Sequence, residues 1–345
     1  MTNATLEAPA LDTPVSEEIA AVAPGAPGEP TSMYTERKLF STRSAPWMKL
    51  GTQIDEPVDA ATAAKLGGLD FDVELHPVGF TTNKGKNYKR VPDRFAITHG
   101  GTGEFFQFAS SGYGVVQYRE AFTFLDAISP HIVAAGALRG GRVGFMVVKH
   151  PDVAGLADLT LAGVPDPHDM YVVVRTSQDM SYALEISLMA LRGRCMNELT
   201  LPSFTKRAPQ RWSLRHSKSV HTRMLQAQDA LTKARNYQDE FAKIAARLAD
   251  IDVNLDDAKN MLELSLPDRP RRDKQIEEIL GVYEQSPNNG FVGSGWGLVQ
   301  GVSEYFEWER PGRAQTDATQ FQNALEGTTH QRVGKVAQVV LSHAS

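Results

Sequence analysis

Apolar and polar side chains alternate through Phe71, Val73 and Leu75, and this period of two predicts a strand. Phe95 to Thr98 and Phe105 to Phe108 flank the turn Gly100-Gly101-Thr102-Gly103, the pattern of a β-hairpin. Arg119 to Ile128 switches to a helical period. β-Branched and aromatic runs return at Arg142 to Lys149, Tyr171 to Thr176 and Ala183 to Leu188, between Gly, Pro and Asp breaks. Residues 34–210 are therefore expected to be strand-rich and antiparallel, with a helix packed on the sheet.

From about Ser217 the period lengthens. Val220, Met224, Ala227, Leu231, Ala234, Phe241 and Leu248 recur at helical spacing, interrupted at Gln238, and predict one long amphipathic helix. Such a stripe either covers the sheet or pairs with a second copy of the chain, so a homo-oligomer stays open. Asp252 or Asn254 would cap a helix running to Leu266, Pro267 and Pro270 would break it, and Asp273 to Gln285 would form another. Strand-rich residues 34–210 followed by helix-rich residues 211–345 argue for a single α+β domain rather than an alternating α/β sheet.

Charge changes this picture at one end. The chain carries 36 Lys+Arg against 41 Asp+Glu, a net charge of −5. Residues 1–33 hold Glu7, Asp12, Glu17, Glu18 and Glu29 and no Lys or Arg, so the remainder is close to neutral. That segment is rich in Ala, Pro and Thr and reads as a disordered acidic tail. It lacks the basic start and apolar run of a signal peptide, and no stretch reaches the roughly 18 apolar residues of a membrane span. A cytoplasmic protein without membrane attachment is the expectation. The single cysteine, Cys195, excludes an internal disulfide and a thiolate zinc cluster, and alternation would make it a small buried hydrophobe.

Several constellations bear on chemistry. Gly293, Gly295 and Gly297 precede a helical run, which would suit a phosphate cradle, but the spacing is not G-x-G-x-x-G and no Walker lysine follows. The competing reading is a loop with Ser294 as N-cap and Trp296 packed. His216 and His221, five apart, fall on different helix faces and make a poor metal pair. Asp166, His168 and Asp169 share a Pro-flanked segment that would serve a metal site or, more simply, a solvated turn. No cofactor is expected.

The basic stretches carry more. Lys84, Lys86, Lys89, Arg90 and Arg94 surround Asn87 and Tyr88 with only Asp93 opposing them. A second block holds Lys206, Arg207, Arg211, Arg215, Lys218 and Arg223 among Phe204, Trp212 and His216, with no acid from Leu199 through Leu225. Cations that follow phosphates, with rings that stack on bases, suit a nucleic-acid strand. Arg215 and Lys218, near the start of the expected helix, would oppose its dipole unless an anion were bound. A solvated face is the bland alternative.

Several segments together resemble the phage- and plasmid-borne family known as domain of unknown function 932, from about Trp47 to Arg310. They are Trp47 to Gly51, Gly68 to Val73, Tyr113 to Gln117 with Glu120 to Phe122, the GALRGGRV of Gly136 to Val143, Arg194 to Asn197, Arg215-His216-Ser217, and Gly293 to Arg310. Glu198, Gln300 and Gly301 depart from the pattern. The resemblance implies a mobile-element setting and brings no reaction with it. Binding of single-stranded DNA is the leading expectation, as in recombination or annealing, through Lys84, Lys86, Tyr88, Lys89, Arg90, Lys206, Arg207, Arg211, Trp212, Arg215, His216 and Lys218. A protein-interaction or host-takeover factor is one alternative. A metal-dependent nucleic-acid enzyme using Asp166 to Asp169 is the other.

Overall fold

The computed structural model describes residues 39–41, 52–82, 87–126, 131–150, 156, 158–192, 198–199, 211–217, 219, 234–286, 289–306 and 328–343. All of these belong to one unit, Arg37–Ser345. The acidic segment 1–33, Cys195 and His221 lie outside the described residues.

Among the described residues the strands are β1 (Leu39–Ser41), β2 (Thr52–Gln53), β3 (Val73–Thr82), β4 (Asn87–His99), β5 (Phe105–Ala109), β6 (Ile132–Leu138), β7 (Val143–Lys149), β8 (Thr160–Leu161), β9 (Val164–Pro165), β10 (His168–Ser177), β11 (Leu184–Arg192), β12 (Glu198–Leu199) and β13 (Arg211–Leu214). The helices are α1 (Ala60–Leu66), α2 (Tyr118–Asp126), α3 (Ala234–Ala249), α4 (Leu255–Ser265), α5 (Arg272–Gln285), α6 (Gly295–Glu304) and α7 (Thr328–His343). The fold is α+β.

A large sheet runs β2-β1-β6-β7-β10-β11, with β12 and β13 both pairing β11 at its far edge. Its pairs are antiparallel except β1 with β2. A separate antiparallel sheet has the order β3-β4-β5. The β6–β7 hairpin turns at Arg139, Gly140 and Gly141, all at positive φ, and at 86° Gly141 occupies backbone space that a side chain would strain.

One face of the large sheet presents Met146, Val148, Val172, Val174, Ile186 and Leu188, which the register brings side by side. These join α1, α2 and every helix from α3 to α7 in one continuous core, so the strand-rich and helix-rich halves share an interior. Phe241, Ala245 and Leu248 of α3 are buried in it, so the described part of the expected stripe is spent inside this chain.

Three expectations change. The helix foreseen from Ser217 is described only from Ala234; Ser217 lies in a bend, and Val220, Met224, Ala227 and Leu231 fall outside the described residues. Arg211 to Leu214, placed in the helix-rich half, is strand β13, because Trp212 and Leu214 alternate onto the apolar Ile186 and Leu184. Arg215 thus follows a strand and does not confront a described helix start.

Candidate nucleic-acid interface

The three-stranded sheet has an inner and an outer face. Cross-strand neighbours share a face, and Val73, Leu75, Ile97 and Ala109 turn inward onto a small core that includes Phe106. Glu74, His76, Ala96, Thr98, Phe105 and Phe108 turn the other way. Phe105 and Phe108 are 43% and 54% exposed, and their ring centroids are 4.7 Å apart at 54°. Residues three apart would normally alternate to opposite faces. A register shift between Ile97 and Thr98 leaves Phe106 opposite no residue, so it turns in while both neighbouring rings turn out.

Beyond a second irregularity between Pro77 and Gly79, β3 and β4 continue as a two-stranded ribbon with Phe80 opposite Lys89 and Gly79 opposite Arg90. Because Arg90 reaches over Phe95, which lies on the inner face opposite Ala109, the adjacent Lys89 and its cross-strand partner Phe80 fall on the outer face. Tyr88 and Arg90 take the opposite face, where Arg90 reaches over Phe95 at 5.6 Å and the Tyr88 ring covers Gly79. A Cβ on Gly79 would meet the outer end of that ring, which is exposed and would have to swing aside. Phe80 and Tyr88 are 51% and 63% exposed. The first basic block is therefore divided between two faces of one ribbon. Lys84 and Lys86 lie outside the described residues.

The second block is used differently from what its composition suggests. Trp212 packs half-buried against the main core, beside Leu214, because β13 presents both to the sheet's apolar face. Arg215 is exposed. His216 is clamped: Thr176 Oγ1 lies 2.9 Å from Nε2 and the Tyr113 hydroxyl 3.2 Å from Nδ1, with the Tyr113 and His216 rings stacked at 5.4 Å. Burial lowers its pKa to about 4, opposed by a backbone contact at Gly114, so the imidazole is neutral at pH 7. The same burial, with Asp179 nearby, pushes the Tyr113 phenol up. Trp212 and His216 thus serve packing and a polar clamp rather than an open stacking surface. Arg211 is described only as backbone opposite Ser187, and Lys206, Arg207 and Lys218 lie outside the described residues.

The clamp has a positional consequence. Tyr113 follows β5 and also donates to Gln178 at 3.4 Å, so residues 211–217 are tied to the root of the three-stranded sheet. Arginines around that root are neutralised: Arg142 by Glu104 at 2.9 Å, Arg139 by Asp179 at 3.8 Å, Arg175 by Glu185 at 2.5 Å, and Arg119 by Asp72. Lys89, Arg90, Arg94 and Arg215 form no ion pair among the described residues.

Two other candidates prove structural. The Gly293–Gly297 amides do not converge on an open cradle: Gly293 donates to the Tyr283 hydroxyl, Ser294 to Phe291 O, Gly295 to Ile251 O and Gly297 to Ser294 Oγ. Ser294 is the N-cap of α6, and Trp296 is fully buried. Asp166 and His168 correct the solvated-turn reading, since both are buried. The Asp166 carboxylate accepts from Trp296 Nε1 at 2.9 Å, and the His168 ring packs edge-on to Phe241. Asp169 pairs with Lys149 at 2.8 Å. What exposed this role is the indole, whose buried N–H needs an acceptor. Among the described residues no group of three His, Cys, Asp or Glu side chains is placed to hold a metal ion.

Fold and site together define an α+β protein whose three-stranded sheet displays rings to solvent beside cations that form no ion pair among the described residues. The chain belongs to the family described as domain of unknown function, DUF932, whose model matches residues 106–326. No curated protein and no solved structure matches it.

Proposed function

We propose that the protein binds single-stranded nucleic acid, DNA in the first instance, in a recombination or annealing role on a mobile element. The observation that carries the reading is the β3–β4 ribbon. Exposed Phe80 and Tyr88 alternate there with exposed Lys89 and Arg90, which no acidic group neutralises among the described residues. Unpaired cations on a surface bind polyphosphate by releasing its counterions, and an exposed ring stacks on a base whatever its identity. Arg215, tethered through His216 to the root of the same sheet, adds a cation from the second block. Asp166 and Asp169, required by the enzymatic alternative, are engaged by Trp296 and Lys149. A cytoplasmic location accords with this reading, and no described helix is long and apolar enough to cross a membrane.

Titration of a labelled oligothymidylate across a salt series tests it. Neutralising about five phosphates gives a log-log slope near −3.5. A flat salt response, or no binding at low salt, sinks the proposal.

A further inference from the structure

We infer that Phe105 and Phe108 form a base-stacking platform for unpaired nucleotides, continued along the ribbon by the Phe80–Lys89 pair; this rests on the nucleic-acid reading above. Neither phenylalanine belongs to a basic block. Both are about half exposed although the interior beneath them is already filled by Phe106, Val73 and Ile97. Their shared orientation is produced by the irregularity at Ile97–Thr98, a device that re-aims side chains at the expense of ladder pairing. The cross-strand neighbours are small, Ala96 beside Phe108 and Thr98 beside Phe105, so no large side chain from β4 stands over the rings.

Charge selects the occupant. On this face Glu74 contacts the His76 ring at 3.0 Å, and Lys89, opposite Phe80, forms no ion pair among the described residues. From His76 to Phe80 is four residues along β3, about 13 Å at the usual strand rise. The face thus offers rings at one end and a ring with a cation at the other. That pattern fits a strand whose bases stack on the phenylalanines while its phosphates lie toward Lys89. A purely apolar partner has no use for the cation, and a paired duplex keeps its base faces stacked inside.

The experiment compares the unaltered full-length protein, F105A/F108A, F105Y/F108Y, F108A and K89A/R90A. Each is titrated with fluorescein-labelled dT15, with a duplex of the same length, and with heparin as a polyanion lacking bases. F105A/F108A is expected to lose roughly ten- to hundredfold in dT15 affinity while binding heparin normally and keeping its circular dichroism and melting temperature. F108A, the milder change, should lose part of this, and the tyrosine pair should restore it. Unchanged dT15 binding by both alanine variants, with K89A/R90A weakened, overturns the platform and leaves the nucleic-acid reading standing. Failure of the unaltered protein to bind dT15 overturns both. Concentration-dependent self-association abolished by F105A/F108A would assign the face to a second copy and overturn the platform as well.

Discussion

His216 shows how position redefines a residue. In the sequence it stands among cations; in the fold it is a neutral clamp between Thr176 and Tyr113. Its pKa of about 4 is below the ordinary 6.5, so as pH falls the unfolded chain takes up the proton first. Stability from this group is complete above pH 6.5 and is lost between about 6.5 and 4, by up to about 3 kcal/mol. Urea denaturation across that window should show the decline, and the His216→Gln variant should lack this component. At Asp166, replacement by Ala leaves the buried Trp296 N–H without its acceptor and should cost about 1–3 kcal/mol. Asp166→Asn, which retains an acceptor oxygen, should cost less in the same assay. Neither role was legible in the sequence, because both depend on a partner more than 35 residues away.

At the scale of elements the hairpins were legible. Alternation and the Gly100–Gly103 turn identified β4 and β5, and Asn254 and Ser294 cap the helices that their neighbours predict. Ser294→Ala should destabilise the fold by about 1 kcal/mol, measured by thermal or chemical denaturation. The irregularities were not legible, because a register shift belongs to a pair of strands. They decide that Phe105 and Phe108 share a face, whereas Lys89 and Arg90, consecutive in β4, fall on opposite faces by alternation alone. If both cations meet phosphates from their two faces, K89A/R90A should make the log-log salt slope less negative by about 1.4. A change in affinity with no change in slope would mean that neither cation meets a phosphate.

At the scale of the whole molecule, one core runs through the large sheet and the helical layer. The sheet face carrying Met146, Val172 and Ile186 is covered by helices that come both before and after it in the chain. Unfolding should therefore be one cooperative transition. Denaturation followed by circular dichroism and by tryptophan fluorescence should coincide, and residues 37–217 alone should fail to give a sharp transition. Two separated transitions would show that the halves are independent. Features that depend on near neighbours could be read from the order of residues: strand and helix periods, caps, the α+β class, and the family through its ordered segments. Which rings and cations reach solvent could not. Exposure is set by what packs from elsewhere in the chain, and the same Trp, His or Phe serves as core, clamp or surface according to the strand register that orients it.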